Sequence, residues 1–289
     1  MIRSTGVPTF LSSLALSALC LAGCGKSEVS RVEWPVMGTI AAIQVRGGES
    51  PMQVAGQWRS FSSPFFEKVE RCLNAHDPDS EICRLASLSD DEVIARCDDA
   101  MRVCYAAAFD LAKASGGAFN PRWRGTNTLD LGAIAKGFAV DVIAEASYVS
   151  GGAALLDLGG NLKVPWCGGV KPWRTGVKDP NGGGFAAVVE LREHEALATS
   201  ATYYRGSHIY DGRTGKPVTN GVASVTVLCK SAMWADGLST TLFVLGPDDG
   251  RKFLDGRLKS LVGDMEVSAL WIMDGGRKVT YGNARFQGN

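Results

Sequence analysis

The chain shows no excess of either charge. Lys+Arg and Asp+Glu both number 30, so the formal net charge is zero. A nucleic-acid binder carries a basic surplus, so that partner class is excluded. Histidine is scarce: His76, His194 and His208 are the full set, which leaves few candidates for a general base. No C-x-x-C pair occurs, and that removes zinc-ribbon and dithiol-redox readings. There is no repeat period and no long low-complexity tract, so a solenoid or a disordered scaffold is out. What is plentiful is glycine, at 35 residues in 289. Such a count points to tight turns or close approach of backbone to a ligand. Hydrophobic residues at 45% and charged residues at 21% are an ordinary globular balance, and the length suffices for a large core.

The N-terminus reads as an address. Arg3 precedes an uncharged run that ends at Lys26, with Phe10–Leu19 as its apolar centre. That centre is too short to span a bilayer comfortably as a mature helix. Leu21-Ala22-Gly23-Cys24 follows and resembles a bacterial lipobox, in which the cysteine is lipidated and becomes the first residue. A plain secretory signal cut near the same point is the competing reading. Residues 1–23 are taken as a lipoprotein signal peptide, 24–30 as a lipid-anchored tether and 31–289 as the catalytic domain. Acyl chains on Cys24 would hold the protein at a membrane surface through buried methylenes. The expected location is the periplasmic face of a bacterial membrane. Gly25, where Asp would favour retention at the inner membrane, favours the outer one.

Six cysteines remain beyond the targeting segment: Cys72, Cys83, Cys97, Cys104, Cys167 and Cys229. In an oxidising compartment they can pair. If the helices around them form an antiparallel hairpin, Cys83–Cys97 and Cys72–Cys104 would be nested bridges. The alternative is that they are small buried hydrophobes.

Periodicity gives a strand over 31–46 and an amphipathic helix over 51–74, with Val54, Trp58, Phe61, Phe65, Val69 and Leu73 near helical spacing. A short helix is expected at Ser80–Leu85 and a long one from Asp98 to Ser115, stopped by Gly116-Gly117. Leu129 to Gly137 is a loop leading into a helix that continues to Ala146. Strands are expected at 153–157, 162–165, 174–177, 186–191, 196–199, 208–211 and 222–229. A helix over 232–245 ends at Gly246-Pro247; a short helix at 247–254 and strands at 268–274 and 278–281 complete the chain. The mixture is α+β, with mixed, largely antiparallel sheets.

Four glycine-marked stretches carry candidate chemistry. The first is Asp130-Leu131-Gly132-Ala133-Ile134-Ala135-Lys136-Gly137. A loop feeding a helix presents free N–H groups, and Lys136 adds a cation, which suits a phosphate. A helix start with a surface lysine would look the same. The second, Asp157-Leu158-Gly159-Gly160-Asn161, is a strand end that any turn could produce. The third runs from Thr199-Ser200 to His208-Ile209-Tyr210-Asp211-Gly212-Arg213-Thr214-Gly215. A histidine at a strand end beside a glycine turn can act as a base, although lone histidines are commonly structural. The fourth is Asp236-Gly237-Leu238-Ser239-Thr240. Asp236 and Thr240 lie four apart, so a helix puts their oxygens on one face. A carboxylate and a hydroxyl suit Mg²⁺; a polar helix face is the plainer reading.

In order, these stretches resemble the ApbE family of FAD:protein FMN transferases. Further motifs join them: Met37-Gly38-Thr39, Asp79-Ser80-Glu81-Ile82, Gly117-Ala118-Phe119-Asn120-Pro121 and Asp179-Pro180. The resemblance implies two intimately packed halves with the active site between them. It implies Mg²⁺ on Asp236, the Thr240 hydroxyl and the Ala133 carbonyl. FAD, as substrate, would meet Met37, His76, Ala118, Phe119, Asn120, Asp130, Lys136 and Tyr210. His208 would be the base that deprotonates an acceptor threonine. The acceptor would be a flavoprotein subunit of a Na⁺-pumping quinone reductase or an Rnf-type complex. This chain departs from the family pattern at Asn120, where Asp is usual, in the short segment from Pro121 to Asp130, and at Ala201, where the family has Gly.

Two other activities fit the same residues. Water in place of threonine would make the protein an FAD pyrophosphatase giving FMN and AMP. A non-catalytic FAD-binding lipoprotein would store or deliver flavin.

Overall fold

The computed structural model describes residues 29–48, 50–146, 152–165, 171–202, 209–283 and 285–288. The signal segment with Cys24, together with Cys167 and His208, lies outside the described residues. Among the described residues, no helix is long and apolar enough to cross a membrane.

The single strand expected over 31–46 is a hairpin, β1 (Val29–Val36) and β2 (Thr39–Gly47). The turn is Met37-Gly38, with φ of 51° and 65°. Two positive φ values make the turn whose twist matches paired strands. Glycine adopts this readily, methionine uncommonly, and the sequence around the turn is β-prone throughout, so no break shows. Four helices follow: α1 (Pro51–Leu73), α2 (Glu81–Leu85), α3 (Asp90–Arg96) and α4 (Arg102–Ala114). Helix α3 was not anticipated. It starts on a reciprocal cap in which the Ser89 hydroxyl accepts from Glu92 N–H and the Glu92 carboxylate accepts from Ser89 N–H.

Helix α5 (Ala135–Glu145) leads to β3 (Gly152–Leu158), β4 (Asn161–Lys163), the ribbon β5 (Trp173–Lys178) with β6 (Phe185–Leu191), and β7 (Ala196–Ala201). Then come the short pair β8 (Tyr210–Asp211) and β9 (Lys216–Pro217), β10 (Val222–Cys229), α6 (Ala232–Gly256), α7 (Lys259–Val262), β11 (Ser268–Met273) and β12 (Lys278–Tyr281). Eight strands form one sheet in the order β1-β2-β3-β4-β7-β10-β11-β12, antiparallel at every pairing. The α+β expectation holds.

Strand alternation builds two cores. In β10 and β11, Val225, Val227, Ala269 and Trp271 face the helices, whereas Leu228, Leu270 and Ile272 face the other way. There they meet Trp173, Val177, Val189 and Leu191 of the β5–β6 ribbon. Side chains as buried as these contribute about 1.5–3 kcal/mol each, so both faces anchor the sheet.

The two helices that carry the fourth and first motifs are locked together. Asp141 of α5 accepts from the Ser231 hydroxyl at 2.6 Å, Ala232 N–H at 2.8 Å and Met233 N–H at 2.9 Å. An anion at a helix N-terminus satisfies donors that have no intrahelical partner. The Lys163 ammonium, 2.9 Å away, balances its charge. Helix α6 is thereby fixed at its first turn, one turn before Asp236.

The nested bridges are not formed. Cys72, Cys83, Cys97, Cys104 and Cys229 are free thiols. Cys83 donates to the Ala75 carbonyl and Cys97 to that of Ile94. Cys104 and Cys229 are buried, and that burial pushes both thiols up, Cys229 to about 12. Cys97, Cys104 and Cys229 are small buried core residues, and in sequence α3 comes between the helices that a simple hairpin would have joined.

Candidate active site

Asp236 lies in the first turns of α6, buried to 7% exposure. Its Oδ2 accepts from Gly137 N–H of α5 at 3.0 Å. The Lys136 ammonium stands 4.0 Å from the same oxygen. Burial raises the carboxyl pKa; Lys136, Gly137 and Asn161 oppose that shift without cancelling it. One turn on, the Thr240 hydroxyl meets the Ser200 hydroxyl of β7 at 2.9 Å, and Ser200 also meets Ser239 at 2.8 Å. Asn161 brings a further oxygen: its Oδ1 is buried with no hydrogen-bond partner. A buried polar atom left unpaired is costly, so it marks a place where a ligand is owed. Asp236, with the Thr240 and Ser200 hydroxyls one turn on, thus offers hard oxygens suited to a divalent cation, and the Asn161 side chain reaches the same carboxylate. Ala133 is partly buried in the turn before α5.

A second group sits at the other end of the Asp130–Lys136 loop. Asp130 accepts from Gly132 N–H at 2.9 Å and from the Trp123 indole at 3.4 Å, and pairs with Arg124 at 3.3 Å. Trp123 stacks on Tyr210 with ring centroids 4.2 Å apart and planes at 17°. Gly132 links the two groups: its N–H goes to Asp130 and its carbonyl accepts from Lys136 at 2.7 Å. A continuous polar path therefore runs from Trp123 through Asp130, Gly132 and Lys136 to Asp236.

The remaining expected residues divide. Ala118 and Phe119 are buried in the core, and the Ala118 carbonyl accepts from Gly212 N–H at 3.2 Å. Asn120 donates to the Gly212 carbonyl at 3.0 Å and accepts from Arg122 N–H at 2.8 Å. One N–H and one lone pair of its amide thus serve the turn and the β8 loop. Met37 occupies the β1–β2 turn, with its N–H 3.4 Å from Glu70. His76 is exposed after α1, where its N–H bonds Asn74. Among the described residues, neither shares a hydrogen bond or ring contact with the Trp123–Asp236 path. His208, the expected base, lies outside the described residues.

Sequence reasoning missed four residues here. Asn161 stood in a quoted motif, but nothing in the string marks an orphaned oxygen. Trp123 fell in the segment where the chain leaves the family pattern. Ser200 was quoted without a role. Arg122 clamps the whole loop: its guanidinium donates to the carbonyls of Ala86 at 2.7 Å, Leu88 at 2.7 Å and Thr126 at 2.8 Å, and to Asp90 at 3.0 Å.

Comparison with known proteins places this geometry. The model of the ApbE family matches residues 122–262, the stretch that contains the polar path. This stretch is similar to the ApbE family. An FAD:protein FMN transferase of Rhodobacter capsulatus is 42% identical over 131 residues, covering 42% of this chain and 25% of that protein. A Vibrio cholerae FAD:protein FMN transferase is 38% identical over 135 residues, covering 42% of this chain and 40% of that protein. The chain thus spans a quarter to two fifths of the length of these two curated relatives. The ApbE fold itself extends further. The flavin transferase ApbE of Vibrio cholerae superposes with a TM-score of 0.67 at 22% identity, over 90% of this chain and 99% of that one. The ApbE protein of Thermotoga maritima gives 0.67 at 22% identity, over 87% and 96%.

Proposed function

We propose that this chain is an FAD:protein FMN transferase. The observation that carries the reading is the buried Asp236, held by Gly137 and Lys136 beside the Asn161 side chain. The family of residues 122–262 and the names of the relatives support it.

Transfer needs attack on the FMN-side phosphorus of FAD, with AMP leaving. Anionic oxygens shield that phosphorus, so cationic groups must lower the repulsion. Lys136 supplies one such charge. Mg²⁺, held by Asp236, Thr240 and the Ala133 carbonyl, would polarise the phosphoryl oxygens. Lys136, on the Gly132 carbonyl at 2.7 Å, would present its ammonium to the phosphate side. The Trp123–Tyr210 stack offers an aromatic face to a flavin or adenine ring, and Asp130 a hydrogen-bond acceptor. His208 would take the proton from the threonine hydroxyl, whose own pKa is far too high for unaided attack.

The acceptor would be a membrane or periplasmic flavoprotein subunit of the Na⁺-pumping quinone reductase or Rnf type. A lipid on Cys24 would concentrate the enzyme at the periplasmic face of the membrane where such subunits lie, the outer membrane being favoured by Gly25.

One incubation tests the activity: full chain, FAD and Mg²⁺, with and without a threonine-bearing acceptor peptide. Peptide heavier by one FMN, with AMP released in step, is the expected result. FMN and AMP without acceptor would mean a pyrophosphatase, and intact FAD throughout a carrier. In the same assay His208→Ala should bind FAD within a few-fold of the parent and lose roughly 10²–10⁴ in rate. Loss of binding in step with rate would make His208 a ligand contact.

A further inference from the structure

Away from the Asp236 site, three chain segments converge on a different set of donors. Cys72 lies in the last turn of α1, Glu81 is the first residue of α2, and Asp98 sits in the link from α3 to α4. One ligand atom from each lies within 4.8 Å of the other two. Glu81 uses Oε2 to accept from Asp98 N–H at 3.0 Å, while its Oε1 is buried with no hydrogen-bond partner. Behind it stands Tyr105 of α4, fully buried, with its hydroxyl against Glu81 and likewise without a hydrogen bond of normal geometry. Lys68 pairs with Asp98 Oδ1 at 2.9 Å, and Arg71, Arg84 and Arg102 lie within electrostatic reach of Cys72, Glu81 and Asp98 respectively. Ala100 N–H also uses that oxygen, so the other Asp98 oxygen is the one left over.

We propose that Cys72, Glu81 and Asp98 form a binding site for a thiophilic divalent cation of the Zn²⁺ type, distinct from the Asp236 site. Two carboxylates and a thiol are an acid-rich set that a cation neutralises, and the thiol selects Zn²⁺ over Mg²⁺. Zn²⁺ bonds at about 2.0–2.3 Å require the three donors to close in by about an ångström at most. The closure is small because all three stand at helix ends. The Cys72 thiol gives up its proton to solvent when the metal binds. Tyr105 then donates to the Glu81 oxygen that the metal leaves free, which satisfies both orphaned atoms. The metal would tie α1, α2 and α4 together beneath the loop that Arg122 clamps.

The test uses the reduced, chelator-stripped full chain in excess Mg²⁺, titrated with Zn²⁺ by calorimetry and with Co²⁺ by absorption. One Zn²⁺ per chain, together with a near-ultraviolet thiolate-to-Co²⁺ band, is expected. Cys72→Ser should abolish the band and weaken Zn²⁺ at least tenfold. Asp236→Ala should leave both unchanged, which separates this site from the one in the proposed transfer reaction. Lys68→Met, at a half-buried helix position, should tighten Zn²⁺ several-fold by removing the competing ammonium. No Zn²⁺ uptake in excess Mg²⁺, uptake that disappears with Asp236, or equal affinity in Lys68→Met and the parent would overturn the proposal.

Discussion

Gly137 and Asp236 meet at the crossing of α5 and α6, where the glycine N–H reaches the carboxylate at 3.0 Å. There is no room for more. A Cβ on Gly137 would stand 2.1 Å from the Ala232 carbonyl oxygen and 2.8 Å from Asp236 Cβ. Both obstacles are backbone or near-backbone atoms, so the helices themselves must part. Gly137→Ala should cost about 1–3 kcal/mol, the usual penalty of overpacking. It should also remove Mg²⁺-dependent FAD cleavage. Thermal melting and the FAD assay check the two effects together; unchanged melting would show that the crossing is looser than this contact implies.

Asp236 itself should reveal a trade of stability for function. Burial raises its folded pKa above the unfolded value, so ionisation costs stability as pH rises through that interval. Asn at this position can still accept from Gly137 N–H and carries no charge. Asp236→Asn should therefore be more stable than the parent at neutral pH without metal, and no more stable at a pH below the unfolded carboxylate range. It should lose Mg²⁺-dependent cleavage. Urea unfolding at the two pH values, with activity alongside, is the measurement; a variant less stable at both would refute the argument.

A second buried carboxylate gives a pH signature of its own. Asp157 at the end of β3 is pushed up to about 6, chiefly by burial, with Gly160 N–H opposing. The folded state then holds a proton that the unfolded chain has released. Stability should fall as pH rises from about 4 to about 6, by on the order of 2–3 kcal/mol in total. Asp157→Asn keeps an acceptor for Gly160 and should flatten that part of the curve. Chemical denaturation at pH 4, 5, 6 and 7 decides it: parallel curves for parent and variant would place the titration elsewhere.

These residues also show how far the string alone reaches. Helix α6 was readable because apolar spacing over 232–245 is local, and the four-residue step from Asp236 to Thr240 follows from helix geometry. The β1–β2 turn was not, because Met37-Gly38 carries only half of the usual turn chemistry within an unbroken β-prone run. Helix α3 had a signal, Ser89 three residues before Glu92, in a segment too short and polar to show periodicity. Arg122 and Asn161 had none. Their roles depend on partners that come together only on folding: Ala86 and Leu88 for Arg122, Asp236 for Asn161. The cysteine pairing failed for the same reason, since a nested hairpin assumed the tertiary arrangement it was meant to explain.

Asn120 is where the chain departs from the family pattern and where the structure adds partners that the sequence did not show. From the sequence, Asn120 was expected to meet FAD. In the fold, Nδ2 donates to the Gly212 carbonyl at 3.0 Å and Oδ1 accepts from Arg122 N–H at 2.8 Å. The contact is close as well: a Cβ on Gly212 would fall 2.4 Å from Asn120 Cβ. Aspartate can keep the bond from Arg122, as either residue suits such a turn. Its second oxygen, however, would face the Gly212 carbonyl with no proton between them. Losing a hydrogen bond and leaving its acceptor unpaired costs about 1–3 kcal/mol. Asn120→Asp should therefore lower the melting temperature of the FAD-free protein and loosen the loop that carries Tyr210. FAD affinity should fall as a consequence, with the proposed dependence on Mg²⁺ unchanged. Melting without ligand separates this from direct flavin contact. A variant that melts like the parent but binds FAD more weakly would return Asn120 to the flavin.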